Sequence, residues 1–227
     1  MTVKGREASS ALRAETRGGR QLFWTRSLGG PSPITGERSR VADGAVWRVL
    51  EPSRSKLAAA LALGLKAPPL LPGENVLYLG AATGTTASHV ADLVGPQGIV
   101  YAVEKSPRAF ARLLASAGRW PNLAPLLRDV REPESYVGLV PMVGALYMDI
   151  PQPDQVEIAL RNASLFLRPG GRLYLALKLS SLGRARTPKE HLEAAVRELR
   201  EHFQLDAPIP LEPFYRRHAF IAGRSRA

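Results

Sequence analysis

Cysteine is absent from the 227 residues, which excludes disulfides and thiolate metal sites together. Histidine is scarce as well. The four present, His89, His191, His202 and His218, include no pair at metal-ligand spacing, so no metal is expected. No apolar run approaches the ~20 residues of a membrane-crossing helix. The opening stretch, MTVKGREASSALRAETRGGR, has no apolar core for a secretory signal, so a cytosolic protein without a membrane partner is expected. Acidic residues are outnumbered, 20 against 31 Lys and Arg, leaving a formal net charge of +11. That excess suits a polyanionic partner, above all nucleic acid. Arginine supplies 25 of the 31 basic residues, and its guanidinium grips phosphate bidentately and stacks on bases where lysine is a point charge. A heat-adapted surface that favours Arg is the alternative account of the same count.

What is present falls into three segments. Residues 1–20 are polar, Arg-rich and expected to be flexible. Residues 21–52 interleave short apolar pieces (LFWT, AVWRV) with turn formers (LGGPSP, TGER, ADGA), the pattern of a small antiparallel β domain. Residues 53–227 have the texture of a larger domain. There RSKLAAALALGL predicts a helix that Pro68, Pro69 and Pro72 end. Strands are predicted at 75–80, 98–103, 123–127, 143–148, 171–178, 205–211 and 218–223. A helix is predicted from Thr86 to Val94, and another starts at Ser106-Pro107, an N-cap followed by Pro. Asp154 and Glu157 form a capping-box-like pair before a helix expected to bury Val156, Leu160, Ala163 and Leu167. A last helix, Pro188 to Phe203, carries Leu192, Val196, Leu199 and Phe203 on one face. Alternation of helices with near-continuously apolar strands predicts an α/β fold. Its sheet should be mostly parallel and seven-stranded, with helices on both faces, and should bind ligands at the carboxyl ends of its strands.

The segment VLYLGAATGTT, Val76 to Thr86, is a buried strand running into a turn of small residues. Gly80, Ala81 and Gly84 lie in that turn, where the lack of bulk lets backbone approach a ligand closely. A phosphate-binding P-loop would place Lys and then Ser or Thr after the second glycine, where Thr85-Thr86 stands here. The spacing G-x-x-x-G also departs from the dinucleotide fingerprint. The acids decide the reading. Glu104 ends the second parallel strand, 20 residues beyond Gly84, where a carboxylate can accept from ribose hydroxyls. Asp129 ends the third strand, placed for an adenine amino group, and Asp149 ends the fourth. Three carboxylates at three successive strand ends form the layout of a Rossmann-like S-adenosylmethionine-dependent methyltransferase fold, whose cofactor carries a sulfonium and an ammonium.

Two lysines suggest the acceptor. Lys178 ends the apolar fifth strand, and Lys56 sits on the helix preceding the cofactor strand. If Lys56, Asp149 and Lys178 converge, they suit deprotonation and orientation of a ribose 2′-hydroxyl, a poor nucleophile until its alkoxide is stabilised. A base methyltransferase is the first alternative, although the DIPQP segment lacks the aromatic and the second Pro usual for exocyclic amines. A non-catalytic RNA-binding scaffold is the second.

From about Val46 onward the chain resembles archaeal fibrillarin. The segments that carry the resemblance are RSKLAAAL, VLYLGAATGTTASHVADLVGPQGIVYAVE, MDIPQPDQ, the Lys178 strand and LEPFYRRHAF. The resemblance implies an RNA 2′-O-methyltransferase of rRNA and tRNA processing. It implies cofactor contacts at Thr85, Thr86, Glu104, Lys105, Asp129, Val130, Asp149, Ile150, Pro151 and Gln152. It also implies a catalytic set of Lys56, Asp149, Lys178 and His218, with Glu212 as a rival for the fourth place. The implied partners are a box C/D guide RNA and its target RNA, a Nop-family scaffold and a kink-turn-binding ribosomal-type protein. Lys105 replaces a common aromatic of the family, and Pro151, in DIPQP for DVAQP, removes one backbone donor.

Overall fold

Strand alternation builds the first layer. The computed structural model describes residues 11–30, 36–66, 69–183 and 185–226. In it β1 (Leu12–Arg17), β2 (Arg20–Arg26), β3 (Ser39–Ala42) and β4 (Ala45–Leu50) form an antiparallel sheet ordered β1-β2-β4-β3. Asp43-Gly44 joins β3 to β4 with both residues at positive φ (51° and 68°), the requirement of a tight hairpin turn. Flexibility was expected throughout residues 1–20. Residues 12–17 are instead a strand, and residues 1–10 lie outside the described residues. The strand carries no aliphatic run because charge pairing replaces burial on its outer face. Arg13 bonds Asp43 at 2.8 Å and lies 3.9 Å over the Trp47 ring, while Arg40 bonds Glu15 at 2.9 Å and lies 4.0 Å over Trp24.

The second sheet follows helix α1 (Lys56–Ala62). Its strands are β5 (Val76–Leu79), β6 (Val100–Glu104), β7 (Leu123–Leu127), β8 (Val143–Met148), β9 (Leu167–Lys178), β10 (Phe203–Leu205), β11 (Ile209–Pro210) and β12 (His218–Ser225). Seven lie in the order β10-β12-β9-β8-β5-β6-β7, and two-residue β11 pairs β12 off that row. The four pairings from β9 through β8, β5 and β6 to β7 are parallel, and β12 is antiparallel to both its neighbours. The predicted strand 205–211 is thus two fragments, parted at Asp206-Ala207-Pro208, where Pro cannot donate to a ladder.

Both faces are apolar and both are covered. One face stacks Tyr78 on Tyr147 (4.5 Å between centroids) beside Tyr174 and Phe220, under α1, α2 (Thr85–Val94), α3 (Pro107–Ala117) and the first sheet. The other carries Leu77, Leu79, Leu146, Met148, Leu173 and Leu175 under α4 (Gln155–Phe166) and α5 (Pro188–His202). Ser106 caps α3 as expected, its hydroxyl accepting from Ala109 N–H. Asp154 does not cap α4 through its side chain, because both carboxylate oxygens accept from Arg131. Leu167, expected on the buried face of that helix, begins β9. Among the described residues no helix is long and apolar enough to cross a membrane.

Between the two sheets lies a buried polar cluster. Arg48 of β4 is fully buried, with its guanidinium on Ser88 (2.9 Å), 3.5 Å from both Glu37 and Asp92, and 4.5 Å over Trp120. His89 contacts Thr25 Oγ1 at 2.7 Å. Burial, with Arg48 and Arg54 beside it, holds the His89 imidazole well below 6.5. Below pH ~6.5 the unfolded chain takes up a proton that folded His89 refuses, so stability should fall as pH drops, by at most about 1.4 kcal/mol per pH unit. Asp92, raised from 3.8 by burial, acts in the opposite sense. Denaturant melts of wild type and His89→Gln between pH 7 and 5 isolate the histidine: the variant should show the shallower decline, and parallel curves would refute the assignment.

Candidate functional site

The small-residue turn closes over the end of β8. Gly80 has φ +83°, and a Cβ there would meet the Asp149 carbonyl oxygen and Ile150 Cγ2 at 2.5 Å. Only glycine lets the turn lie this close to the segment Asp149–Gln152. Gly80→Ala is expected to cost about 2–4 kcal/mol through steric overlap and positive φ. It should also weaken cofactor binding, since relief requires moving Asp149. A thermal melt together with calorimetry checks both losses.

A cleft opens at the strand ends. Gly80, Glu104, Lys105, Val130, Asp149, Ile150, Pro151 and Gln152 line it. Ala82 and Val103 line it too and were not expected. Ala81, Gly84, Thr85, Thr86 and Asp129 do not line it. Ala81 and Gly84 are buried in the turn, Thr85 opens α2, and Thr86 donates to the Ser55 hydroxyl at 3.2 Å. Ser55 is the N-cap of α1, so the helix after the turn braces the residue before Lys56. Glu104 accepts from Ala82 N–H (2.9 Å) and Ser106 N–H (2.7 Å), which fixes the turn and leaves further lone pairs for a ligand. Lys105 lies 3.4 Å from Asp129. Asp129 also accepts from Arg131 N–H.

Beside the cleft the four expected catalytic side chains gather. Lys56 Nζ donates to Asp149 Oδ2 at 2.8 Å, with both side chains largely buried (19% and 25% exposed), and stands 5.1 Å over the Tyr215 ring. His218 begins β12 directly across from Lys178, the last residue of β9. Its Nδ1 lies 2.8 Å from the Arg216 carbonyl oxygen, which assigns the proton to Nδ1 and leaves Nε2 as the acceptor of the neutral ring. Burial pushes its imidazole below 6.5. The Arg216 bond opposes that shift, as does Asp149, while Lys56 and Lys178 add to it. The Glu212 carboxylate, the rival, is exposed and makes no hydrogen bond or ion pair among the described residues. Among those residues no carboxylate comes within 4 Å of Lys178 Nζ, so the two lysines differ: one is ion-paired and the other is open.

Arg131 is not among the expected site residues. It holds Asp154 through two bonds (2.7 and 2.6 Å) and the Gln152 amide oxygen at 2.9 Å. Its hydrogen bonds keep Asp154 below the usual carboxylate range. The pairing spans 23 positions, and nothing in the local composition signals it.

Comparison with known proteins places the whole chain. A sequence model of the fibrillarin family matches residues 8–227. A fibrillarin-like rRNA/tRNA 2′-O-methyltransferase of Saccharolobus islandicus is 41% identical over 225 residues, covering 99% of this chain and 97% of its own. Aeropyrum pernix fibrillarin, crystallised with natively bound S-adenosyl-L-methionine, superposes with a TM-score of 0.86 at 38% identity, covering 94% of each chain. The fibrillarin of a fibrillarin/Nop5p complex superposes with a TM-score of 0.84 at 36% identity, covering 95% of this chain and 98% of its own. The chain belongs to the fibrillarin family.

Proposed function

We infer that the protein transfers a methyl group from S-adenosylmethionine to the ribose 2′-hydroxyl of RNA, as the catalytic subunit of a guide-directed box C/D ribonucleoprotein. The observation that carries the reading is the gathering of Lys56, Asp149, Lys178 and His218 beside a cleft floored by the Gly80 turn. The cleft suits the cofactor chemically. Glu104 offers a carboxylate for ribose hydroxyls, Asp149 one for a cationic centre, and Val103, Val130 and Ile150 an apolar wall. The bound cofactor supplies an electrophilic methyl group.

The residues of the chain supply the rest. His218 Nε2, neutral at pH 7, accepts the proton of the 2′-hydroxyl. The open ammonium of Lys178 stabilises the oxyanion that results. Lys56 holds Asp149 by their ion pair and the Tyr215 ring by its charge. The net charge of +11 supports contact with the RNA backbone. The assembly would comprise a guide RNA, its target, a Nop-family scaffold and a kink-turn-binding ribosomal-type protein, in the cytosol.

A pH profile of single-turnover transfer tests the base. The wild-type rate should hold from neutral pH down past 6.5 and fall only below it, because the folded His218 pKa is lowered. His218→Ala should lose about 10²- to 10⁴-fold in rate and lose the acid limb as well. An acid limb unchanged in His218→Ala would remove His218 from the role.

A further inference from the structure

We propose that Gln155 is a positioning residue for methyl transfer, acting by clamping the backbone of Lys178. The proposal rests on the catalytic reading of Lys178 given above and names a residue that this reading leaves unused. Gln155 is fully buried at the first position of α4. Both ends of its amide are spent on one residue: Oε1 accepts from Lys178 N–H at 2.9 Å, and Nε2 donates to the Lys178 carbonyl at 3.1 Å.

The sheet explains why such a clamp is needed. The pairing of β8 with β9 ends at Met148 and Leu175, three residues short of Lys178. On that edge Lys178 therefore has no neighbouring strand, and the Gln155 amide occupies the place of the missing peptide group. On the opposite edge β12 is present, pairing His218 with Lys178 and presenting the Arg217 carbonyl to Leu179 N–H at 3.0 Å. The chain then leaves the sheet at once through the 3-10 turn Leu179–Ser181. Without Gln155, the strand end that carries the open lysine would be held from one side only, with a buried N–H and C=O left unpaired. The clamp is itself anchored. Asp154, the preceding residue, is gripped by Arg131 beyond β7, so one ion pair fixes the start of α4 and through it the strand end.

Gln155→Met keeps the volume and removes both bonds, whereas Gln155→Glu keeps the acceptor and removes the donor. In the assembled ribonucleoprotein, Gln155→Met is expected to slow single-turnover transfer by about 10- to 100-fold, the scale of a misplacement near 1 Å. Cofactor affinity measured by calorimetry should stay within about twofold, since no Gln155 atom lines the cleft. The deciding arm is a double-mutant cycle with Lys178→Met. If Gln155 acts through Lys178, Gln155→Met adds no further loss in the Lys178→Met background. Losses that multiply would overturn the proposal, as would Gln155→Met turning over at the wild-type rate beside an inactive Lys178→Met. A fully active Lys178→Met would instead overturn the catalytic reading, and the clamp with it. Should Gln155→Met fail to fold, Gln155→Glu carries the same cycle with a smaller expected loss.

Discussion

Asp149→Asn should lower methyl transfer by about 10³-fold while leaving the protein folded. Three of its contacts lead to that expectation. The carboxylate pairs with Lys56 at 2.8 Å in a largely buried setting, and an amide would leave that ammonium without its counter-charge. Asp149 also lines the cleft, where its charge faces the position argued above for a cationic ligand. Its negative charge raises the His218 pKa, so its loss would make the imidazole a weaker base. Stability should fall by about 1–3 kcal/mol, between the scales of an exposed and a fully buried pair. The fold at this point rests on the backbone, where Asp149 N–H donates to the Leu79 carbonyl at 3.0 Å whatever the side chain. Rates and thermal melts of the same preparation separate the two effects. Activity within tenfold of wild type would contradict the role given to Asp149.

The largest expected effect on stability lies far from the cleft. Arg48→Ala should cost about 3–5 kcal/mol, the scale of removing one partner from a buried ionic group. The arginine is fully buried between Asp92, Glu37, Ser88 and the face of Trp120. Alanine would leave two buried carboxylates facing each other across a cavity. Asp92 also accepts from Thr25 Oγ1, Leu28 N–H and Trp120 Nε1 at 2.7–2.9 Å. Because the cluster joins β2 and β4 to α2, loosening should begin at the first sheet. Hydrogen exchange should therefore speed up in β2 and β4 before β5 or β8. A loss under 1 kcal/mol, or uniform exchange, would show that the cluster does not hold the two sheets together.

Much of this organisation was legible in the sequence because parallel strands expose their carboxyl ends on one side. Acids ending successive strands, Glu104, Asp129 and Asp149, must then share a rim, and that inference needs only the strand positions. Lys178, which ends β9, was readable for the same reason; Lys56 lies on α1, and its place beside Asp149 does not follow from strand ends. Residues that act across the chain were not readable. Arg131 meets Asp154, and Gln155 meets Lys178, 23 positions away in each case, and no periodicity links the partners. Asp154 was misread because its neighbour Glu157 completes a capping pattern while its oxygens go to Arg131. Strand β1 escaped notice because it carries charged residues where a strand signal needs aliphatic ones. The fourth proposed catalytic position, His218, rests on resemblance, and register explains why local sequence could not supply it. Only the pairing of β12 with β9 sets His218 opposite Lys178.

The most direct test of the central claim is methyl transfer from labelled S-adenosylmethionine to a guide-paired RNA, with scaffold and kink-turn-binding proteins present. Two targets are compared, identical except for a 2′-deoxy sugar at the nucleotide the guide selects. Label on the ribose target and none on the deoxy target is the expected result, because His218 and Lys178 are assigned to the 2′-oxygen. Equal label on both would mean that a base is the acceptor, and the roles given to His218 and Lys178 would be wrong.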